Sequence, residues 1–233
     1  MLVVTLLLAD TLAVVAVTAS SDPLLESSFV TVNTFLWLDF ETTGLDPELD
    51  DIIEVGCILT DRSLRQISSF QSLVSPRPSA LARISKNRVV REMHEKTGLL
   101  QELGDFVGTY GELKDLSYTE SRILFWLDSQ PVDTAVMFLC GSGVSHFDHG
   151  LVKSRMPLLA SRLRYATIDV SVVSRFLDSF VGPGRDKLFP GDEYKEHRAL
   201  YDAMRALESA ELLVEQLDFL VETVPLDEQY SLG

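Results

Sequence analysis

The sequence predicts one α/β domain with a mixed five-stranded sheet flanked by helices. Three apolar segments follow one another with short polar turns between them, which is typical of three antiparallel strands. Helical and strand-like segments alternate after that point, so the later strands make the sheet mixed. A length of 233 residues suits one large domain or two small ones, and 46% hydrophobic residues can bury a real core.

The central strand is expected at 35–40, an apolar and aromatic run without Gly or Pro. Asp39 and Glu41 interrupt its end, and residues two apart in a strand point to the same side. Two unpaired like charges are costly to desolvate, and a divalent cation between them would remove that cost. An Asp-x-Glu pair also occurs by chance where a strand ends in a solvated turn, so the pair alone favours that simpler interpretation.

The other elements follow from composition and turn signals. Further strands are expected at 51–60, 65–74, 134–140 and 166–170, helical signals at 84–104, helices at 117–128, 145–156, 171–180 and 198–217, and looser connections at 104–111 and 182–191. The last helix carries apolar residues at intervals of three or four, at Leu200, Met204, Leu207, Ala210 and Val214.

Residues 1–31 are expected to lie outside the main domain, which we place at 32–220, before a polar tail at 221–233. The segment 2–18 is mostly apolar, but no Lys or Arg precedes Arg62, so a signal peptide would lack its positively charged start. As a membrane span it would be short and would hold Asp10 near its middle, so we expect no stable membrane partner. A poorly formed signal peptide and an upstream extension, with initiation at a codon such as that of Val30 or Val32, both stay open.

Three downstream residues could complete a carboxylate site. Asp148 follows the fourth predicted strand, where ligands of α/β sheets gather, although an acid there also suits an ordinary helix start. His197 and Asp202 are five residues apart, which would separate their side chains by about 140° on one helix. They converge better if His197 precedes the helix and Asp202 lies in its first turns; a surface histidine beside Lys195 and Glu196 is the simpler alternative.

Taken together, these motifs resemble those of the DEDDh 3′-5′ exonucleases, whose fold is ribonuclease-H-like. The resemblance covers roughly residues 34–217 and is carried by Asp39-Phe-Glu41-Thr-Thr-Gly44-Leu45, Phe147-Asp148, and His197 with Asp202 five residues later. Additional similarity to the oligoribonuclease branch of that family lies at residues 37–39, 44–47, 52–55, 94–99 and 168–171.

The resemblance implies two Mg²⁺ or Mn²⁺ ions held by Asp39, Glu41, Asp148 and Asp202, with His197 as the general base. Carboxylates are hard oxygen ligands that suit these ions better than zinc. An unperturbed histidine pKa of about 6.5 suits proton transfer near neutral pH.

The implied reaction is hydrolysis of short RNA or single-stranded nucleic acid from a free 3′ end to nucleoside 5′-monophosphates. Thr42, Gly44, Leu45 and His94 are the substrate-binding residues that the resemblance implies, Leu45 pressing on the terminal base and His94 lying in the substrate groove. A homodimer is left open. So are a DNA-directed proofreading or repair exonuclease and a catalytically silent ribonuclease-H-like binding module, although no carboxylate of the set is missing.

The net charge and the cysteine content limit the other classes of function that this sequence could have. A formal net charge of −15 argues against non-specific binding along a long phosphate backbone, while a cluster of carboxylates stays acidic only until metal fills it. Cys57 and Cys140 fall in predicted strands and lack zinc-binding spacing, so we expect buried hydrophobic residues in a reducing, cytoplasmic protein.

Overall fold

The computed structural model describes residues 2–8, 11–17, 34–110, 113–180 and 197–223. Contacts divide the chain into two units, Met1–Thr31 and Val32–Gly233. In the first unit, β1 (Leu2–Leu8) and β2 (Thr11–Val17) form an antiparallel hairpin. Among the helices of these ranges, none has the length and apolar character that crossing a membrane requires.

The second unit contains a five-stranded sheet with the order β5-β4-β3-β6-β7. Strands β3 (Thr34–Thr42), β4 (Ile52–Asp61) and β5 (Gln66–Leu73) pair antiparallel, as predicted for the first three strands of the sheet. Strands β6 (Met137–Gly141) and β7 (Leu163–Asp169) continue the sheet on the other side of β3, both in parallel pairing. The predicted mixed five-stranded α/β fold is confirmed.

Helices flank this sheet on both faces. Within the described ranges they are α1 (Pro78–Lys86), α2 (Arg88–Lys96), α3 (Leu99–Tyr110), α4 (Leu116–Asp128), α5 (Asp148–Arg155), α6 (Pro157–Ala160), α7 (Val170–Phe180) and α8 (Ala199–Thr223).

Several element boundaries differ from the sequence predictions. Helix α1 starts at Pro78, since the fixed φ of proline suits a first helical turn, whereas the helical signals in the sequence were placed only from residue 84 onward. Helix α3 continues to Tyr110 through the segment expected to be looser, because Leu99 and Leu103 are buried in one apolar cluster with Ile53 and Ile84. The short helix α6 was not predicted, and α5 starts at Asp148 instead of residue 145.

The central strand β3 divides the core into two apolar clusters. On one face Leu36, Leu38 and Phe40 pack with residues of β4, β6, α4 and α5. On the other face Trp37 packs against the inner side of α8, and its indole nitrogen donates to the hydroxyl of Thr60 at 3.0 Å. Side chains alternate along a strand, so every second residue after Trp37 faces the same side as α8. Both cysteines are buried and unpaired, as predicted.

Candidate active site

The acids of β3 meet the first turn of α8. Asp39 and Glu41 follow Trp37 on the same side of the strand, and Trp37 belongs to one buried apolar cluster with Ala203 and other residues of α8. Asp202 is the acid of the first turn of α8, where its backbone N–H donates to the carbonyl of Arg198 at 2.9 Å. The packing of strand on helix therefore brings three carboxylates from distant parts of the sequence to one place.

Three side chains could bind one metal ion together. Ligand atoms of Glu41, His197 and Asp202 all lie within 4.8 Å of one another. Glu41 is buried, whereas the other two are half-buried. His197 lies two residues before α8 and Asp202 lies in its first turn, which is the arrangement predicted to let their side chains converge.

Asp39 and Asp148 interact electrostatically with the acids of this group. Burial, followed by the charges of Asp148, Asp202 and Glu41, raises the pKa of Asp39 well above its usual range. Burial also raises the pKa of Asp148 to about 7, although the backbone N–H groups of Asp148 itself and of Phe40 act in the opposite direction. The donor at Phe40, between Asp39 and Glu41, places the Asp148 carboxylate against β3.

The pKa of Glu41 is also raised. Burial, then the charges of Asp202 and Glu54, raise its pKa to about 8, while the cation of Arg198 partly offsets them. Three acids with raised pKa values hold protons that a divalent cation would displace, because a cation stabilises their charged forms. This chemistry, and the clustering of oxygen ligands, fit a divalent metal bound by Asp39, Glu41, Asp148 and Asp202.

Asp169, at the end of β7, organises the loop that leads to Asp148. Burial would raise its pKa, but the hydroxyls of Ser145 and Ser171 and the backbone N–H groups of Ser145 and Gly143 lower it to about 2. The N–H of Gly143 donates at 2.9 Å and that of Ser145 at 3.0 Å. Asp169 thus stays charged and fixes the loop before α5.

The predicted substrate-binding residues Thr42, Gly44 and Leu45 form the turn after β3. The Thr42 hydroxyl donates to the carbonyl of Gly44 at 2.7 Å. A Cβ at Gly44 would lie 2.4 Å from a carboxylate oxygen of Asp50, so the turn has room only for glycine. Leu45 is 80% exposed, which leaves its side chain available to a ligand.

His94, the fourth predicted substrate-binding residue, has no exposed surface. Its Nε2 lies 2.8 Å from the carbonyl oxygen of Thr42, and its Nδ1 lies 3.8 Å from Oε2 of Glu41. In the structure His94 is buried against the end of β3, and a direct contact with substrate stays a prediction.

A cavity of about 380 Å³ lies beside Thr43. Its lining includes three cations that were not among the predicted site residues, namely Arg83, Lys86 and Arg88. Arg83 donates to Asp50 at 2.8 Å and so closes one side of the cavity. The predicted loop at 182–191, which precedes His197, and the tail after residue 223 lie outside the described residues.

Comparison with known proteins identifies exonucleases among the proteins similar to this chain. A family model described as an exonuclease (RNase_T) matches residues 36–113. The oligoribonuclease of Bordetella pertussis is 29% identical over 185 residues, which cover 79% of this chain and 96% of that protein. The mitochondrial oligoribonuclease of Mus musculus is 30% identical over 172 residues, 74% of this chain and 68% of that protein. The oligoribonuclease of Streptomyces avermitilis is also 30% identical, over 74% of this chain and 80% of that protein.

Solved structures of exonuclease I share the fold. The E. coli enzyme in complex with a 5cy-dA13 oligonucleotide matches 82% of this chain with a TM-score of 0.51 and 16% identity. The zinc-bound form of its complex with single-stranded DNA matches with a TM-score of 0.54 and 16% identity. The chain spans 43% of the length of each of these exonuclease I chains.

The fold and the acidic site define a 3′-5′ exonuclease of a divalent-metal-dependent class. By its identity to relatives over most of their length, this chain belongs to the oligoribonuclease family.

Proposed function

We propose that this protein hydrolyses short RNA or single-stranded nucleic acid from a free 3′ end and releases nucleoside 5′-monophosphates. The supporting observation is the convergence of Asp39, Glu41, Asp148 and Asp202 with His197 at one end of the sheet. The catalytic domain is proposed to span residues 32–220.

The four carboxylates are the proposed ligands of two Mg²⁺ or Mn²⁺ ions. When bound, such ions would supply positive charge at the scissile phosphate and promote ionisation of the attacking water. A ring nitrogen of His197 is the proposed acceptor of the proton of that water, because the imidazole lies beside Glu41 and Asp202 and histidine is the side chain whose ordinary pKa suits proton transfer near neutral pH.

The turn after β3 is the proposed site for the 3′-terminal nucleotide. The exposed Leu45 side chain offers an apolar contact to the terminal base, and the closely packed turn at Thr42 and Gly44 fixes its position. The cavity lined by Lys86 and Arg88 lies next to this turn, so its positive charge favours a phosphate of the entering strand.

A second copy of this chain is the proposed protein partner. Strand β7 is an edge strand of the sheet, and its Tyr165 is 88% exposed. Next to β7 in the sequence, α7 exposes Phe176 and Phe180, whose ring centroids are 5.0 Å apart. An edge strand and exposed aromatic residues favour pairing with another copy. Sedimentation of the wild type and of Phe176→Glu measures the oligomeric state; two monomeric proteins would contradict the dimer.

The buried free thiols of Cys57 and Cys140 support the expected cytoplasmic location.

A labelled-substrate assay tests the proposed activity. A 5′-labelled RNA of five nucleotides and a single-stranded DNA of the same sequence are each incubated with the full chain and Mg²⁺ or Mn²⁺. We expect a ladder that shortens from the 3′ end, faster on RNA, and no hydrolysis in excess EDTA. Faster hydrolysis of DNA would instead support the proofreading or repair alternative. Binding without hydrolysis under every metal condition would support the silent binding module and contradict the proposal.

A further inference from the structure

Glu54 is a fully buried carboxylate of β4, outside the set of residues that the motifs assign. It lies directly across the strand pair from Glu41. Its oxygens accept from Arg198 Nη2 at 2.7 Å, Arg198 Nε at 3.1 Å, the backbone N–H of Ala199 at 3.0 Å, and Gln71 Nε2 at 2.7 Å. Three of these four donor groups belong to Arg198 and Ala199, the two residues that follow His197.

Arg198 connects this carboxylate to the start of α8. Its guanidinium binds Glu54 through two nitrogens and also donates from Nη2 to Glu102 on α3 at 2.6 Å. Such forked pairs fix direction as well as distance, because the guanidinium is planar and its donors are rigidly spaced. The residue between the imidazole and the helix is therefore held from two elements.

Gly56 provides a second, steric contact at the same place. A Cβ at this position would lie 2.2 Å from the carbonyl carbon of Ala199 and 2.2 Å from the nitrogen of Leu200. The backbone of β4 thus lies directly against the first residues of α8. One charged contact at Glu54 and one close approach at Gly56, two residues apart on β4, locate the same short segment.

Stability alone does not explain an ion pair between the fully buried Glu54 and the half-buried Arg198. Replacing a buried pair by apolar side chains is often neutral or stabilising, whereas removing one partner is costly. Glu54 also adds a carboxylate to a region already crowded with acids, which is an unfavourable choice unless its geometry is needed. Its contacts fix the start of α8, which His197 precedes and Asp202 follows.

We propose that Glu54 and Arg198 form a clamp that positions His197 for proton transfer in the exonuclease reaction. Both are positioning residues, since they act on His197 through the backbone at residues 198 and 199. This inference rests on the proposed function, because the position of His197 matters for turnover only if the site is a nuclease.

Turnover of clamp variants provides the first test. Glu54→Gln loses the forked charge contact but keeps the side-chain size, and Arg198→Lys keeps the cation but loses the fork. We expect kcat to fall about 10- to 100-fold in each, with KM within about three-fold, because small misplacements of a catalytic group cost up to about 10²-fold. Glu120→Gln is the matched control: Glu120 is also buried and accepts the N–H groups of Leu158 and Leu159 at the start of α6, so its kcat should stay unchanged.

A double-mutant cycle separates positioning from general damage. In a His197→Ala background, Glu54→Gln should lower kcat less than about three-fold further, because the group that it positions is absent. An equal loss in both backgrounds, or wild-type kcat in both clamp variants, would overturn the clamp.

Hydrogen exchange provides a readout that does not depend on activity. The amides of residues 199–202 should exchange at least about ten-fold faster in Glu54→Gln than in wild type, and those at the start of α6 should not. If the wild type itself hydrolyses nothing, the proposed function fails, while unchanged exchange at 199–202 would show that the clamp fails independently. If Glu54→Gln does not fold, Gly56→Ala displaces the same segment sterically, and wild-type kcat in Gly56→Ala would contradict the proposal.

Discussion

The acidic site should make the metal-free protein less stable as pH rises. Glu41 has an ordinary pKa of 4.5 and a folded-state pKa of about 8, raised first by burial and then by Asp202 and Glu54. Between these two values the folded state holds a proton that the unfolded state has released, so the free energy of unfolding falls with rising pH. This stabilisation is fully present below pH 4.5 and is lost as pH rises through about 8.

The magnitude follows from the two pKa values of Glu41. Each pH unit between them corresponds to about 1.36 kcal/mol, so a rise from pH 5.5 to 8.5 should remove roughly 3 kcal/mol. That is a large part of the 5–15 kcal/mol typical of a domain. Glu41→Gln has no such proton to lose, so this loss should be absent from the variant.

Urea unfolding in EDTA at pH 5.5 and 8.5 measures the effect for the wild type and Glu41→Gln. The comparison of the two proteins separates this loss from the effect of His94. The pKa of His94 is lowered by burial, so His94 adds stability as pH rises toward 6.5. The wild type should lose roughly 3 kcal/mol more than the variant over this range, and Mg²⁺ should restore more stability at pH 8.5 than at 5.5. Equal losses in both proteins would refute the assignment of a raised pKa to Glu41.

Four further outcomes are expected. Hydrolysis should require Mg²⁺ or Mn²⁺, and undiminished rates in excess EDTA would exclude the metal ligands. Asp39→Ala and Asp202→Ala should each lose most activity while far-ultraviolet circular dichroism stays unchanged, since removing a like charge relieves repulsion; near-normal turnover would exclude that residue as a ligand. A chain starting at Val32 should fold and be active, because every motif follows it, and loss of folding would show that residues 1–31 contribute to the core. His197→Ala should lower turnover about 10²–10⁴-fold; wild-type turnover at neutral pH would remove His197 from the mechanism.

The sequence was most informative where local periodicity and site chemistry coincide. The period of two along β3 puts Asp39 and Glu41 on one face, and that face is the one that α8 covers. The five-residue spacing of His197 and Asp202 likewise required a helix start between them, and α8 begins at Ala199. In both cases a short stretch of chain was enough to determine the relative directions of the two side chains.

Contacts between distant segments were not predictable in the same way. Glu54 and Arg198 are 144 residues apart, and no pattern in either segment names the other. A signal was present, however, because a single acid within the apolar run 52–59 requires a partner once the strand is buried. The boundaries of α1 and α3 failed for a similar reason: their apolar residues pack on Ile53, which is remote in sequence.

The ion pairs around the site share one arrangement, in which arginines brace the elements of the site through acids set behind it. Arg155, on the helix that begins with Asp148, donates to Asp51 at 3.0 Å. Arg83 of α1 binds Asp50 at 2.8 Å, and Arg198 binds Glu54 at 2.7 Å. Four clustered carboxylates repel one another, so the elements that carry them need attachment. An arginine placed among the ligands would provide it but would also compete with a metal. Bracing through a second layer of acids holds the ligands together and leaves their oxygens available for the cation.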